Sequence, residues 1–235
     1  MNYFAHGYRH LNQPWRLAGT ALPDWLNVID RRTRARSKKA ALYLDSPDEA
    51  VRELAIGVIQ HHHDDRWFHG QPDFLRLNHE FATDLRQICP ADDSPRSSFV
   101  GHICVELLLD AELIRRDEAG LESYYATVQE LDLERLSEGL AVLLGKPVPR
   151  IRWWVERFSA EQFLRDYAEN APLARRLNQV LHRVGLPPLP ATVTRWLESA
   201  RVRVAEACDR LFPPPPDAAE LAKVVALNPP ATACP

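Results

Sequence analysis

Two stretches of this chain carry the residue types of a metal centre at the spacing of one helix face. His61, Asp65 and His69 stand at i, i+4 and i+8, and His102, Glu106 and Asp110 repeat the interval. Side chains four residues apart on an α-helix lie one above the other, so each set would project from a single stripe. Imidazole nitrogens mixed with carboxylate oxygens suit a divalent metal ion, Mn²⁺ first, with Fe and Zn²⁺ also compatible and Mg²⁺ where carboxylates dominate. An ion held in this way lowers the pKa of a bound water and orients phosphoryl oxygens, which is the chemistry of metal-assisted hydrolysis.

Both stripes continue apolar ones. Val51, Leu54 and Val58 fall on the His61 side of the first helix, with Glu49, Arg52, Glu53 and Gln60 opposite. On the second, Phe99, Leu109 and Leu113 accompany the His102 set, and Val100, Ile103, Cys104, Leu107, Leu108 and Ile114 make the rest apolar. Such a helix is buried on most sides. A carboxylate there costs several kcal/mol unless it is paired, neutralised or bound to a metal. The competing account makes 102, 106 and 110 a thin solvent stripe and His61 with Asp65 an ordinary hydrogen-bonded core pair.

By the same geometry His62, His63 and Asp64 point away from the stripe. His6 and His10 lie one turn apart if their segment is helical, and Asp24 follows in Leu22-Pro23-Asp24-Trp25; alone these carry little weight. His79 and His182 lack carboxylates at matching spacing and read as structural or surface residues. Arg66 and Arg76 are candidates to bind an anion near His61.

Helices must position these groups. Ser46-Pro47-Asp48-Glu49 reads as a cap, a first-turn proline and early acids, opening a helix over 46–69 that stops at Gly70. A second follows Gln71-Pro72-Asp73 to about Cys89, a loop spans Pro90 to Pro95, and a third runs from Ser97-Ser98 to about Arg116. Leu131, Leu136, Leu140, Leu143 and Leu144 give 121–144 a helical period that Gly145-Lys146-Pro147 ends. Further helices fit 150–158, 159–169 with a Ser159 cap and Gln162 three residues on, 171–184 and 191–212. Nine glycines against 19 prolines complete an all-α reading, a single bundle of about eight to ten helices over 1–212. A Pro-rich tail over 213–235 opens with the Pro213–Pro216 spacer and carries a weak helical piece at 217–227.

Composition narrows the classes. The 235 residues suffice for a substantial core, and Cys89, Cys104, Cys208 and Cys234 show no CxxC spacing, which predicts a reducing cytoplasmic setting. With 29 basic and 32 acidic residues the net charge is -3, against a nucleic-acid binder that works through overall charge. No stretch approaches the ~18 apolar residues of a membrane span, and the opening segment lacks the apolar centre of a signal peptide. Neither nucleic acid nor membrane is an expected partner; oligomeric state is not legible. The strongest local charge is Arg31 to Lys39, six basic residues in nine, whose plain reading is solvated surface.

The opening Met1-Asn2-Tyr3-Phe4-Ala5-His6 resembles the N-terminal signature of the acyl carrier protein phosphodiesterases, an all-helical family related to the HD-domain metal phosphohydrolases. Asp24 matches the aspartate that follows about one helix later. Gly57 to Asp65 is similar to the family's Gly-x-x-x-His-x-x-x-Asp segment, and Glu106 to Asp110 resembles its Asp-x-x-x-Asp segment. The resemblance covers about residues 1–116, leaving 117–212 as additional helices. Pro23, His69, Glu106 and Ala111 stand where the family usually has Gly, Asp, Asp and His.

The resemblance implies an HD-domain-like fold with His6, Asp24, His61, Asp65 and Asp110 as metal ligands, and with Glu106, His69 and His102 as further ligands or groups beside them. His69 or His102 would then act as general acid or base. The implied reaction is metal-dependent phosphodiester hydrolysis, releasing phosphopantetheine from a carrier-protein serine, with the basic run 31–39 docking the acidic acyl carrier protein. The rival readings are a metal phosphohydrolase acting on a nucleotide or phospholipid headgroup, and a non-catalytic helical interaction protein.

Overall fold

The structure is a computed structural model and describes residues 1–89 and 94–212. It is all-α: eleven α-helices and three short 3₁₀ turns, with no strand among the described residues. In chain order the helices are α1 (Tyr3–Gly7), α2 (Pro14–Ile29), α3 (Ser37–Ala40), α4 (Glu49–His69), α5 (Pro72–Ile88), α6 (Ser94–Arg116), α7 (Glu118–Gln129), α8 (Leu133–Leu144), α9 (Ile151–Glu161), α10 (Asn170–Arg183) and α11 (Val193–Leu211). The 3₁₀ turns are Tyr8–His10, Ala41–Tyr43 and Phe163–Ala168. The excess over eight to ten lies in α1 and α3, of five and four residues. The expected Pro-rich tail, its spacer and its helical piece lie outside the described residues, as does most of the expected loop from Pro90 to Pro95.

The third expected helix opens at Ser94 rather than near Ser97, so the expected loop is shorter; three other boundaries differ from the sequence reading, each for a local reason. The carboxylate of Asp48, rather than Ser46, caps α4, accepting from the Ala50 and Val51 amides at 2.8 and 3.3 Å. The stretch 121–144 is two helices, because Asp132 starts a new one by accepting from the Glu134 and Arg135 amides, both at 3.0 Å. Ser159 is no cap: it is buried inside α9, which runs on to Glu161 and ends at Gln162 in a left-handed conformation (φ 44°), leaving a 3₁₀ turn where a helix was expected. The end of α8 is as expected, with Gly145 at φ 65°, a conformation that glycine adopts without a Cβ penalty.

The described chain falls into two compact units. The first takes the described residues of Met1–Ala5, Trp67–Glu118 and Phe163–Pro213; the second takes His6–Arg66 and Ala119–Gln162. In the first unit, Phe74, Leu77, Phe81 and Leu85 form the buried stripe of α5. Every residue of α6 from Leu107 to Ile114 is buried. Asp84 of α5 fastens α11 by accepting from Trp196 Nε1 at 2.9 Å and from Arg203 at 2.6 Å. Those two α11 residues are seven apart, two turns of one face.

In the second unit Leu17, Leu22, Trp25 and Leu26 of α2 are fully buried, and Trp25 meets Phe158 of α9 edge to face at 5.6 Å. Val51, Leu54 and Val58 of α4 are buried as their spacing predicts. Each such side chain contributes roughly 1.5–3 kcal/mol. Gln60, expected on the solvent side, is instead buried, because His10 supplies a hydrogen-bond partner for its amide oxygen at 2.9 Å.

In the second unit α2 and α4 pack backbone against backbone. A Cβ on Gly57 would lie 2.5 Å from the Arg16 carbonyl oxygen and 2.7 Å from both the Gly19 Cα and the Thr20 nitrogen. Only a pair of glycines lets the backbones touch there. That contact sets the Thr20 carbonyl one turn of α4 below His61.

Candidate metal centres

Among the described residues, two groups bring three metal-ligand atoms within 4.8 Å of one another: His6, His61 and Asp65 in the second unit, and His69, His102 and Glu106 in the first. Each holds two imidazoles and one carboxylate. Each is built from a His and a carboxylate four residues apart on one helix, joined by a His from another segment.

In the first group His61 and Asp65 project from α4. The His61 Nδ1–H donates to the Thr20 carbonyl at 2.9 Å, which fixes the tautomer and leaves Nε2 facing Asp65 Oδ2 at 3.4 Å. His6, from α1, stacks on His61 with ring centroids 4.0 Å apart and places its Nε2 3.2 Å from Asp65 Oδ1. The two carboxylate oxygens are thus divided between two imidazoles. Burial, and after it the adjacent His61, pull the His6 imidazole down to about 4, so it is neutral at pH 7. For His61 burial opposes charging, but Asp65 and then Asp24 outweigh it and hold its pKa above the ordinary value. Burial likewise opposes ionisation of Asp65, yet His6 and His61 hold its carboxyl far below the usual range.

The fit to a cation rests on His6. Its side chain is wholly inaccessible; Nε2 meets Asp65 Oδ1 at 3.2 Å without hydrogen-bond alignment, and among the described residues neither ring nitrogen has a well-formed hydrogen bond. A buried polar atom left in that state costs about 1–3 kcal/mol. An ion within reach of its Nε2 supplies the missing partner, and the donor set of two imidazoles and a carboxylate is one that divalent transition metals and Zn²⁺ accept.

In the second group both His69 Nε2 and His102 Nε2 approach Glu106 Oε1, at 3.0 and 3.1 Å, and the Met1 nitrogen reaches the same oxygen at 3.2 Å. Phe74 stands edge-on to both imidazoles at 5.0 Å. Burial opposes the charge on Glu106, but the Met1 amino group, His102 and His69 hold its carboxyl well below the usual carboxylate range.

Two residues expected as ligands join neither group. Asp110 is fully buried, and its Oδ2 and Oδ1 accept from the Phe4 and Ala5 amides at 2.9 and 2.8 Å, capping the first turn of α1. Burial pushes its carboxyl up to about 7 against the pull of those bonds. Asp24 is half-buried on α2 and acts on His61 through its charge. His10 bonds Gln60, while the exposed His79 and His182 belong to neither group. Arg76 is not available for an anion, because Asp73 and Glu80 engage it at 2.9 Å each.

Asp64, set aside as pointing off the stripe, does point elsewhere but is buried, with Gln60 Nε2 at 3.5 Å and His63 Nδ1 at 3.3 Å. Its burial comes from the Tyr8–His10 turn, where Arg9 and His10 both feel its charge. Nothing in the spacing announced it; only the packing of that turn against α4 does. His62 Nε2 donates to the Ala35 carbonyl at 2.7 Å, tying α4 to the basic run. Arg32, Arg34, Arg36 and Lys38 of that run are exposed, as its plain reading predicts, whereas Lys39 reaches the Leu144 carbonyl.

No family model, curated protein or solved structure matches the chain. No helix of the described residues is long and apolar enough to cross a membrane.

Proposed function

We propose that this chain is a divalent-metal-dependent phosphodiester hydrolase whose ion is held by His6, His61 and Asp65, with Mn²⁺ the first choice. The observation that carries the reading is the His6 imidazole, sealed from solvent, without a well-formed hydrogen bond among the described residues, and aimed with His61 at one carboxylate. A divalent ion there would bring a coordinated water toward a pKa of ~7 and polarise a phosphoryl oxygen. The chain's own residues supply the rest. Thr20 holds His61 in the tautomer with a free Nε2, Asp65 divides its two oxygens between the imidazoles, and Asp24 adds negative charge beside them.

The choice of phosphodiester rests on the resemblance of residues 1–116 to the acyl carrier protein phosphodiesterases. On that footing the substrate is the phosphopantetheine ester of a carrier-protein serine, and the exposed arginines of 31–39 dock the acidic partner. The test is turnover of bis(p-nitrophenyl) phosphate and of holo acyl carrier protein by the metal-loaded chain. Both are expected to need Mn²⁺ and to vanish in Asp65→Asn. Turnover of the small diester without the carrier protein would move the substrate to a nucleotide or phospholipid headgroup. Asp65→Asn and His6→Ala variants that keep both metal content and hydrolysis would end the proposal.

One observation favours a non-catalytic reading. With His61 above and Asp65 below their ordinary values, the two form an ion pair that satisfies itself without metal. That reading predicts a chain that purifies free of metal and melts at the same temperature with and without Mn²⁺ or Zn²⁺.

A further inference from the structure

We propose that His69, His102 and Glu106 form a second metal site, in the first unit, that takes a borderline divalent ion of the Zn²⁺ or Co²⁺ class. The inference stands apart from the hydrolase reading, because none of its residues belongs to the His6 group.

The argument begins with convergence. His69 is the last residue of α4, whereas His102 and Glu106 lie one turn apart on α6. Their ring centroids are 4.7 Å apart, and both imidazoles turn the same atom, Nε2, toward a single oxygen of Glu106. Phe74, buried at the start of α5, packs edge to face against both rings at 5.0 Å and restricts their orientation. Rigid orientation of this kind is what a metal site needs from the shell behind its ligands.

The second step concerns protons. Among the described residues, Glu106 is the one hydrogen-bond partner of either imidazole, and each His is about one-third exposed, at 33% and 34%. Without an ion each ring therefore donates its Nε2–H to that carboxylate, and no described residue holds a proton on either Nδ1, so the proton can move there when a cation takes its place. With Nδ1–H turned to water, two Nε2 lone pairs and a carboxylate oxygen face one another within 4.8 Å. The Met1 amino group, 3.2 Å from the same oxygen, offsets part of the negative charge, and a divalent cation would draw all three donors to one point. Two nitrogens and one oxygen match Zn²⁺, Co²⁺ or Fe²⁺ better than the all-oxygen ions Mg²⁺ and Ca²⁺. The exposed side of the two rings leaves room for water to complete the coordination.

The experiment is equilibrium dialysis of the full chain, stripped of metal, against Zn²⁺ alone, with bound metal counted per chain. His69→Ala and His102→Ala are each expected to hold one Zn²⁺ fewer than the unsubstituted chain, or to bind that ion more than about 100-fold more weakly, since changes merely behind a ligand already cost 10–100-fold. Asp65→Asn should leave this ion in place. Glu106→Gln should behave like the histidine variants, and His102→Gln substitutes for His102→Ala if melting of the metal-free protein shows a folding defect. His69 and His102 variants that bind as much Zn²⁺ as the unsubstituted chain, or bind it less than about tenfold more weakly, overturn the proposal. An unchanged zinc count in Asp65→Asn, with the His102 loss present, would strike the first site and spare this one.

Discussion

The Nδ1 of His61 donates to the carbonyl oxygen of Thr20 at 2.9 Å, and it can do so because Gly19 and Gly57 let α2 and α4 touch one turn away. The tautomer of a prospective ligand is thus set by a backbone crossing. Gly57→Ala should therefore act at a distance. Its Cβ would meet the Arg16 carbonyl and the Thr20 nitrogen, which are backbone and cannot swing aside. A loss of about 1–3 kcal/mol in stability is expected from the overpacking. Affinity for Zn²⁺ at the His6 group should fall about 10–100-fold as His61 loses its anchor. Chemical denaturation and metal titration of the variant read the two effects separately.

Asp110 serves α1 as a cap borrowed from another helix. Asp110→Ala leaves two buried backbone N–H groups without an acceptor, at about 1–3 kcal/mol each. The expected result is a large drop in unfolding free energy that is the same with and without Zn²⁺. Loss of a bound ion in the folded variant would instead make Asp110 a ligand.

Metal binding should stabilise the native chain through mass action. At a free Zn²⁺ concentration about 100 times the dissociation constant, one site adds about 2.7 kcal/mol. Melting should rise with Zn²⁺ in the unsubstituted protein, rise less in Asp65→Asn and in His102→Ala, and not rise in the double variant. A double variant that gains as much as the unsubstituted chain would point to ions bound elsewhere.

Acid should loosen the contact between α5 and α11. The Arg210 and Arg76 guanidiniums hold the Asp73 carboxyl down at about 2, below its ordinary 3.8. A depressed carboxylate pKa contributes stability that is complete above the unfolded value and fades as pH falls through the folded one. The gain is thus expected in full above about pH 4 and gone near pH 2. It should shrink with added salt, because the arginines are exposed. Comparing melting of Asp73→Asn with the unsubstituted chain between pH 2 and 5 checks this: the two curves should converge at the acid end.

Helical periodicity made much of the candidate chemistry visible in advance. His61 with Asp65, and His102 with Glu106, face together in the structure because a four-residue interval on one helix leaves them little choice. The same reasoning placed Val51, Leu54 and Val58 in the core. It failed for Gln60, placed opposite the core stripe, and passed over Asp64, which points off that stripe; both are buried. The Tyr8–His10 turn covers that side of α4 and brings a hydrogen-bonding partner with it. Asp110 shows the opposite failure. Its spacing from Glu106 is that of a ligand pair, but the start of α1 lies against it and takes both oxygens.

By itself, then, the amino-acid order determined that the chain is helical, near which residues α4, α5, α10 and α11 begin and end, and which histidine and carboxylate share a face, since all of these depend on interactions within a few residues. The tertiary structure decided which third side chain completes each group. His6 joins His61 and Asp65, and His69 joins His102 and Glu106, across 55 and 33 residues of chain. No local periodicity encodes such a meeting. It follows from where glycines allow two backbones to touch and from which buried donors and acceptors remain to be matched.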